Sequence, residues 1–509
     1  MKKSLFVLFV ICFALGINYS KAQDSLKLFD LSRYKLPDLK RQQLDIQTNL
    51  GTALNIDDDH NDNRRINRSY TSANLAATYR LYRNSRKYQG DQILQNSSII
   101  YHYKYDDFQI PYPNISKNDK SESDDFRNFL DLQSYNRFYF NGLNFVEVSP
   151  YVTGEIYNSK SSSDQNLFIY NSKSRERNIE IELPLYYGFG RIERVEDARQ
   201  VLFILQDQQR FGRLNRMPSG DEIIALSKRA SSVKNQRFFD SRLQRIDELK
   251  TIDEGLREMG LVNNDDIVYY TSLSDMWDYG DIDMRYAGYR FNIGVQPSYS
   301  LVRQYNFEEY NYDSNNNDLY IGRDETTINS YRYILSSIMF EYQKPINQKW
   351  QYWLTTNGFI GPSEVINKIQ NEIDDTTTQT SLNLINYALR IRTGLGFYPN
   401  TRTYATASFN GSYEYYKGTF NESDNEQNSK SNLWEMMFTL QSYYYISPRL
   451  RLNARYSYYF SHLIGTNSLN NYNFSQTGIN SNNLSILEGE NYLKNIDHSF
   501  IVTLTYSIF

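Results

Sequence analysis

The residues best suited to move protons in this chain are its four histidines, His60, His102, His462 and His498. None has a serine two positions on in the His-x-Ser arrangement that couples a base to a nucleophile, so ordinary polar roles are expected. The only cysteine is Cys12, which rules out a Cys/His zinc spacing. Asp57-Asp58-Asp59-His60-Asn61-Asp62 and Asp313-Ser314-Asn315-Asn316-Asn317-Asp318 set carboxylates and amides at alternate positions, as calcium loops do. Position six is Asp instead of Gly and the closing Glu is missing, so both read as solvated loops. Gly188 and Gly190 end a strand among aromatic neighbours and do not form a phosphate loop. The chain is therefore expected to have no catalytic, cofactor-binding or metal residues, no cofactor and no enzymatic activity.

What remains is charge with an order to it. Arg290, Arg390, Arg392, Arg451 and Arg455 on later segments, and Glu147, Glu155, Glu180 and Glu182 on earlier ones, fall on the polar phase of alternating sequence. Opposed charges on one interior have two uses. They set a transverse field across a water-filled pore, or they pair into bridges that fill and stiffen a closed one.

The elements that would hold these charges are strands. Tyr387, Leu389, Ile391, Leu395 and Phe397 are apolar while Ala388, Arg390, Arg392, Gly394 and Gly396 intervene, a period of two with one oily face. A tight Tyr398-Pro399-Asn400-Thr401 turn follows, then a strand, the polar stretch 417–431, a strand with Trp434, Met436, Phe438, Leu440 and Tyr444, and the tight turn Ile446-Ser447-Pro448-Arg449. Short turns at one end and long loops at the other predict an outer-membrane barrel. Candidate strands lie near 45–54, 70–82, 96–106, 132–140, 144–157, 176–189, 284–303, 329–343, 349–361, 379–397, 402–416, 432–446, 449–463 and 496–509. The expected fold class is an all-β transmembrane barrel of about 14 antiparallel up-and-down strands, an even number, with a mainly helical periplasmic insert. The segments 55–69, 107–131, 158–175, 304–328, 362–378, 417–431 and 464–495 are expected outside the cell. Asn141-Gly142, Lys344 to Lys349, Pro399-Asn400 and Ser447-Pro448 are expected inside. Pro150 and Pro184 each remove a ladder bond and predict a shared bulge.

Composition agrees. The 46 tyrosines suit the two membrane–water boundaries. A mean hydropathy of -0.65 does not oppose a barrel, which hides its apolar residues in alternate positions. A net charge of -4 argues against a nucleic-acid partner. Lys2 and Lys3 before the apolar run Leu5 to Ile17, with Ser20-Lys21-Ala22 after it, predict a signal peptide over 1–22 and a mature start at Gln23. That run is shorter than the roughly 20 apolar residues of a spanning helix, and no other stretch comes nearer. Cys12 falls within the removed segment, so neither disulfide nor lipid anchor is expected.

Between the two groups of strands the period changes. Val195, Ala198, Val201, Leu202 and Leu205 recur at helical spacing and Gly212 ends that segment. Ser219 with Glu222 predicts a capping box for a second helix. A third carries the stripe Leu243, Ile246, Leu249, Ile252 and Leu256 before Gly260, a candidate contact surface that must be buried somewhere. The expected division is an N-terminal periplasmic segment 23–44, a first barrel part 45–190, the insert 191–283 and a second barrel part 284–509.

Leu183-Pro184-Leu185-Tyr186-Tyr187-Gly188-Phe189-Gly190-Arg191-Ile192-Glu193 with Val195-Glu196-Asp197-Ala198, and the opening Tyr34-Lys35-Leu36-Pro37-Asp38-Leu39-Lys40-Arg41, resemble a poorly characterised outer-membrane β-barrel family of Bacteroidota. The resemblance implies location in the cell outer membrane and the barrel fold, and work as a subunit of a larger assembly; it implies no substrate. Phe509 ends the chain, yet it stands out of phase with Phe500, Val502, Leu504, Tyr506 and Ile508. The function expected is a scaffold or accessory subunit of an outer-membrane complex. The alternative is a porin-like channel for small polar solutes, plugged by the insert. Expected partners are outer-membrane lipid, the barrel assembly machinery and outer-membrane proteins.

Overall fold

The computed structural model describes residues 26, 29–59, 64–109, 117–165, 168–234, 241–263, 266–280, 285–314, 316–422, 425–446, 450–470 and 485–506. The expected signal segment, His60, the side chains of both calcium-like segments, the Leu243 side chain, the Ser447-Pro448 turn and Phe509 lie outside the described residues and side chains.

Among the described residues sixteen antiparallel strands form one sheet. The first eight are β1 (Leu39–Asp59), β2 (Arg64–Asn84), β3 (Tyr88–Gln109), β4 (Lys117–Phe140), β5 (Asn144–Val148), β6 (Tyr151–Gln165), β7 (Phe168–Glu182) and β8 (Leu185–Arg194). After the helices come β9 (Tyr286–Ser314), β10 (Asn316–Pro345), β11 (Trp350–Asn371), β12 (Thr376–Phe397), β13 (Thr403–Glu422), β14 (Asn425–Tyr445), β15 (Leu450–Asn470) and β16 (Ser485–Tyr506). Neighbours in sequence are neighbours in the sheet except between β4 and β9, where β5–β8 and β6–β7 run as two tracks one above the other. Pro150 and Pro184 make the break. The Ser149 amide donates to Pro184 O at 3.0 Å and the Leu183 amide to Pro297 O at 3.0 Å, so β5 continues into β6 and β7 into β8. The chain thus crosses the sheet fourteen times.

The strands are longer than the alternation predicts. β9 has 29 residues and β10 has 30, against the roughly 9–11 that cross a bilayer. The polar stretches expected as loops are largely strand: Asn311 to Ser314 pair with Asn316 to Leu319, and Ser159 to Gln165 with Phe168 to Ser174. These stretches are rich in Ser, Asn, Asp and Lys and carry no sustained hydrophobic alternation, yet their backbones remain paired. At the opposite end the turns are short. Asn141 (φ 46°) and Gly142 (φ 84°) both take the left-handed conformation that a tight Asn-Gly connection requires.

One face of the sheet is apolar and exposed, as Ile293, Ile338, Leu389 and Trp434 show; the other holds buried polar residues such as Asn292, Ser337, Asn386 and Glu414. No described helix is long and apolar enough to cross a membrane. β1 and β16 are the two edges, and neither has a second partner among the described residues.

The packed core is at the short-turn end. Four helices, α1 (Glu196–Arg210), α2 (Gly220–Val233), α3 (Ser241–Glu258) and α4 (Ile267–Tyr279), connect β8 to β9. α1 closes on Gly212 (φ 66°), with the Arg213 amide reaching Gln208 O at 2.8 Å, and α2 opens on the expected Ser219/Glu222 capping box. α4 is a helix that the periodicity did not predict; Asp266 caps it, and its Tyr269, Leu273 and Trp277, at four-residue spacing, are buried in the helical core. These helices share a core with Leu26, Phe29, Leu31, Tyr34 and Leu36 from the segment before β1. Each fully buried leucine there contributes roughly 1.5–3 kcal/mol.

Candidate functional site

α1 is the centre of the short-turn end. Its first turn carries Glu196 and Asp197, suited to a helix N-terminus, and both are buried with their charges met. Arg41 of β1 lies 3.1 Å from Asp197, Lys234 at the end of α2 lies 2.7 Å from it, and Arg194 of β8 lies 2.8 Å from Glu196. Burial raises the Asp197 carboxyl, but Lys234 and Arg41 outweigh it and hold the group below the ordinary carboxylate range. Ser231 donates to the same carboxylate and sits 2.6 Å from the Tyr34 hydroxyl. Burial, reinforced by Asp197, pushes that hydroxyl well up, so it stays protonated. On the exposed side Arg216, together with the Ser219 amide, holds Glu222 down to about 2.

From this centre contacts reach the short turns of distant strands. Arg199 stacks on Tyr398 after β12 at 5.5 Å, and Gln206 donates to Gln348 between β10 and β11 at 2.6 Å. Asp275 of α4 binds Arg402 before β13 at 3.0 Å, and Tyr279 meets Tyr445 at the end of β14 at 5.8 Å. Arg86, between β2 and β3, bonds Glu193 at 2.8 Å. Arg285 is the tightest fastening. Fully buried, it stacks on Tyr398 at 4.7 Å and donates to Asn347 O, Gln348 O and Gln351 Oε1 at 3.0 Å and to Trp350 O at 3.1 Å. Sequence reasoning missed Arg285, whose only signal is a lone arginine where the insert meets β9, and Arg41, which follows Lys40 at the start of β1 with nothing to mark it.

The charges expected on the interior all lie on the polar face. Four of the nine are paired with an adjacent strand: Glu147 with Arg137 at 2.6 Å, Glu155 with Arg127 at 2.5 Å, Arg290 with Glu341 at 2.5 Å and Arg390 with Glu414 at 2.8 Å. The partners Arg127, Arg137, Glu341 and Glu414 were legible as polar-phase residues, but strand order was needed to match them. Glu182 accepts from the Tyr333 hydroxyl, and Glu180 is buried beside it. Arg392, Arg451 and Arg455 are exposed; Arg451 reaches the Tyr443 hydroxyl and Arg455 the Ser457 hydroxyl, each at 3.2 Å.

The α3 stripe is divided. Ile252 and Leu256 are in the helical core and Leu249 packs against it, but Ile246 is 56% exposed. The stripe faces α2 and the core, where Gly255 lets Leu226 approach closely. Far from the helices, His102 contacts Asp124 at 2.8 Å and Glu122 at 3.8 Å. Lys104 and Lys160 stand opposite these two acids in register, so the cluster reads as an ion network.

No protein-family model and no curated protein matches this chain.

Proposed function

We propose that the sheet closes into an outer-membrane β-barrel of fourteen crossings whose inner mouth is capped by the four helices, and that it serves as a scaffold or accessory subunit of an outer-membrane complex. The observation that carries this is the reach of α1. Asp197 binds Arg41 on β1 while Arg199, two residues on, stacks on Tyr398 after β12. Along the sheet those strands are nine steps apart, about 43 Å at the usual strand spacing of about 4.8 Å. Two side chains of neighbouring helical residues span far less, which favours a wall curled round on itself. Lipid supplies no hydrogen bonds for the free edges of β1 and β16, so in a membrane they would have to pair with each other.

The cap favours a scaffold over an open pore because it is fastened at several turns, and because Glu147, Glu155, Arg290 and Arg390 are each bridged to a neighbouring strand. The exposed Arg392, Arg451 and Arg455 favour the second reading, a gated channel that conducts when the cap moves. Excision of the cap separates the two. Arg194 and Tyr286 are directly paired, so a short Asn-Gly link can replace residues 195–285. In planar bilayers the intact protein should be nearly silent. If excision leaves conductance low and co-purifying partners are lost, the scaffold reading stands; a channel reading requires a large rise in conductance.

A further inference from the structure

The apolar face carries a groove of about 1000 Å³ where Pro297 and Pro362 withhold amides from the ladder. Ile181, Leu183, Ile334 and Ile385 line it together with those prolines. Its rim toward the long-hairpin end is charged. Arg332 and Glu364 neutralise each other there at 2.8 Å. Lys417, also on the rim, stands directly opposite Lys430 of β14, and both are exposed. Neither lysine has an acidic partner among the described residues. Facing like charges are destabilising, and an anion between them would reverse the sign.

Immediately toward the short-turn end are aromatic pairs, Tyr387 with Tyr415 at 5.8 Å and Tyr413 with Trp434 at 4.4 Å. Aromatic belts mark the boundary between hydrocarbon and headgroups. Pro362, Ile385, Lys417 and Lys430 stand in one cross-strand row just beyond these aromatics, so such a belt sets the groove and the lysine pair together at the boundary between acyl chains and headgroups, in a wall that spans the membrane as proposed above. We propose that this is a binding site for a lipid of the outer leaflet whose phosphate headgroup carries net negative charge, with an acyl chain along Ile334, Pro362 and Ile385 and the phosphate between Lys417 and Lys430.

The test offers the purified full chain in detergent equal mole fractions of dioleoyl phosphatidic acid and dioleoyl phosphatidylcholine and counts retained lipid by native mass spectrometry. At about fivefold per lysine near a charged headgroup, phosphatidic acid should be retained about twenty-fivefold over phosphatidylcholine. Lys417→Ser/Lys430→Ser should abolish the preference, and Lys344→Ser at the other end of β10 should keep it. Ile385→Trp, which fills the groove with both lysines intact, should lower retention of phosphatidic acid. A preference unchanged in the double variant, or glycerol phosphate displacing the lipid as well as phosphatidic acid does, overturns the site. A wild-type chain that stays in solution without detergent and retains neither lipid overturns the barrel itself, an outcome distinct from a barrel lacking the site.

Discussion

Replacing Arg285 by alanine should loosen the cap without dissolving the wall. The side chain makes four hydrogen bonds to the 347–351 turn, of which those to Gln348 O and Gln351 Oε1 are buried and those to Asn347 O and Trp350 O are partly reached by water. Each of the two buried acceptors left unsatisfied costs about 1–3 kcal/mol, and water replaces much of the rest, so the local loss should be about 2–6 kcal/mol. At about 1.4 kcal/mol per factor of ten, that is a fall in amide protection of roughly thirtyfold to ten-thousandfold. Two amides report it directly: Ile346, which donates to Trp350 O, and Val195, which donates to Arg285 O. Arg285→Lys keeps the charge on a point donor that cannot span four acceptors, and it should recover only part. Hydrogen exchange of the protein in micelles measures both variants. Protection at Ile346 and Val195 within twofold of wild type in Arg285→Ala would refute the clamp.

Asp197 gives the cap an acid limit: its folded pKa is depressed, so its contribution is present above the ordinary carboxylate value of about 3.9 and is lost as pH falls through the lower folded value. Protease sensitivity of the cap should therefore rise below about pH 4, and Asp197→Asn should remove that acid-dependent step at a constant cost of about 3–5 kcal/mol from the stranded Lys234 and Arg41. Leu389→Arg puts a charge on the apolar face and should impair assembly by about 2–4 kcal/mol, whereas Arg392→Leu on the polar face should assemble normally, as judged by unheated gel mobility. Arg390→Leu is a poorer control, because it strands Glu414. Epitope tags at Asn316 and Asn425 should be reached on intact cells and a tag at Asn400 should not; an exposed Asn400 tag would reverse the orientation.

Much of the fold was legible because one apolar face in register leaves a period of two in the sequence, as in Tyr387 to Phe397, and because Gly212, Ser219 and Glu222 mark helix ends by backbone chemistry. The hairpin extensions were not, since Ser159 to Gln165 is polar on both faces and the short apolar run 167–170 that follows does not alternate. α4 was hidden for another reason. Ile267-Val268-Tyr269-Tyr270 has the β-branched and aromatic residues of a strand, and the packing of Tyr269, Leu273 and Trp277 into the core overrides that preference. The interior charges could be assigned to the polar face one strand at a time, but the pairing of Arg290 with Glu341 depends on which strands are neighbours. The cap contacts of Arg41, Arg285 and Tyr398 join residues that have no sequence relation at all.

Closure of β1 on β16 can be measured with paired cysteines in a background without Cys12. Leu44→Cys, Ile46→Cys and Leu50→Cys on β1 are combined one by one with Phe500→Cys, Val502→Cys and Leu504→Cys on β16, all on the apolar face. A closed antiparallel seam predicts intramolecular disulfides only for combinations whose residue numbers share one sum, because each step along β1 is matched by a step back along β16. Disulfides scattered over unrelated combinations, or formed only between molecules, would contradict a closed barrel.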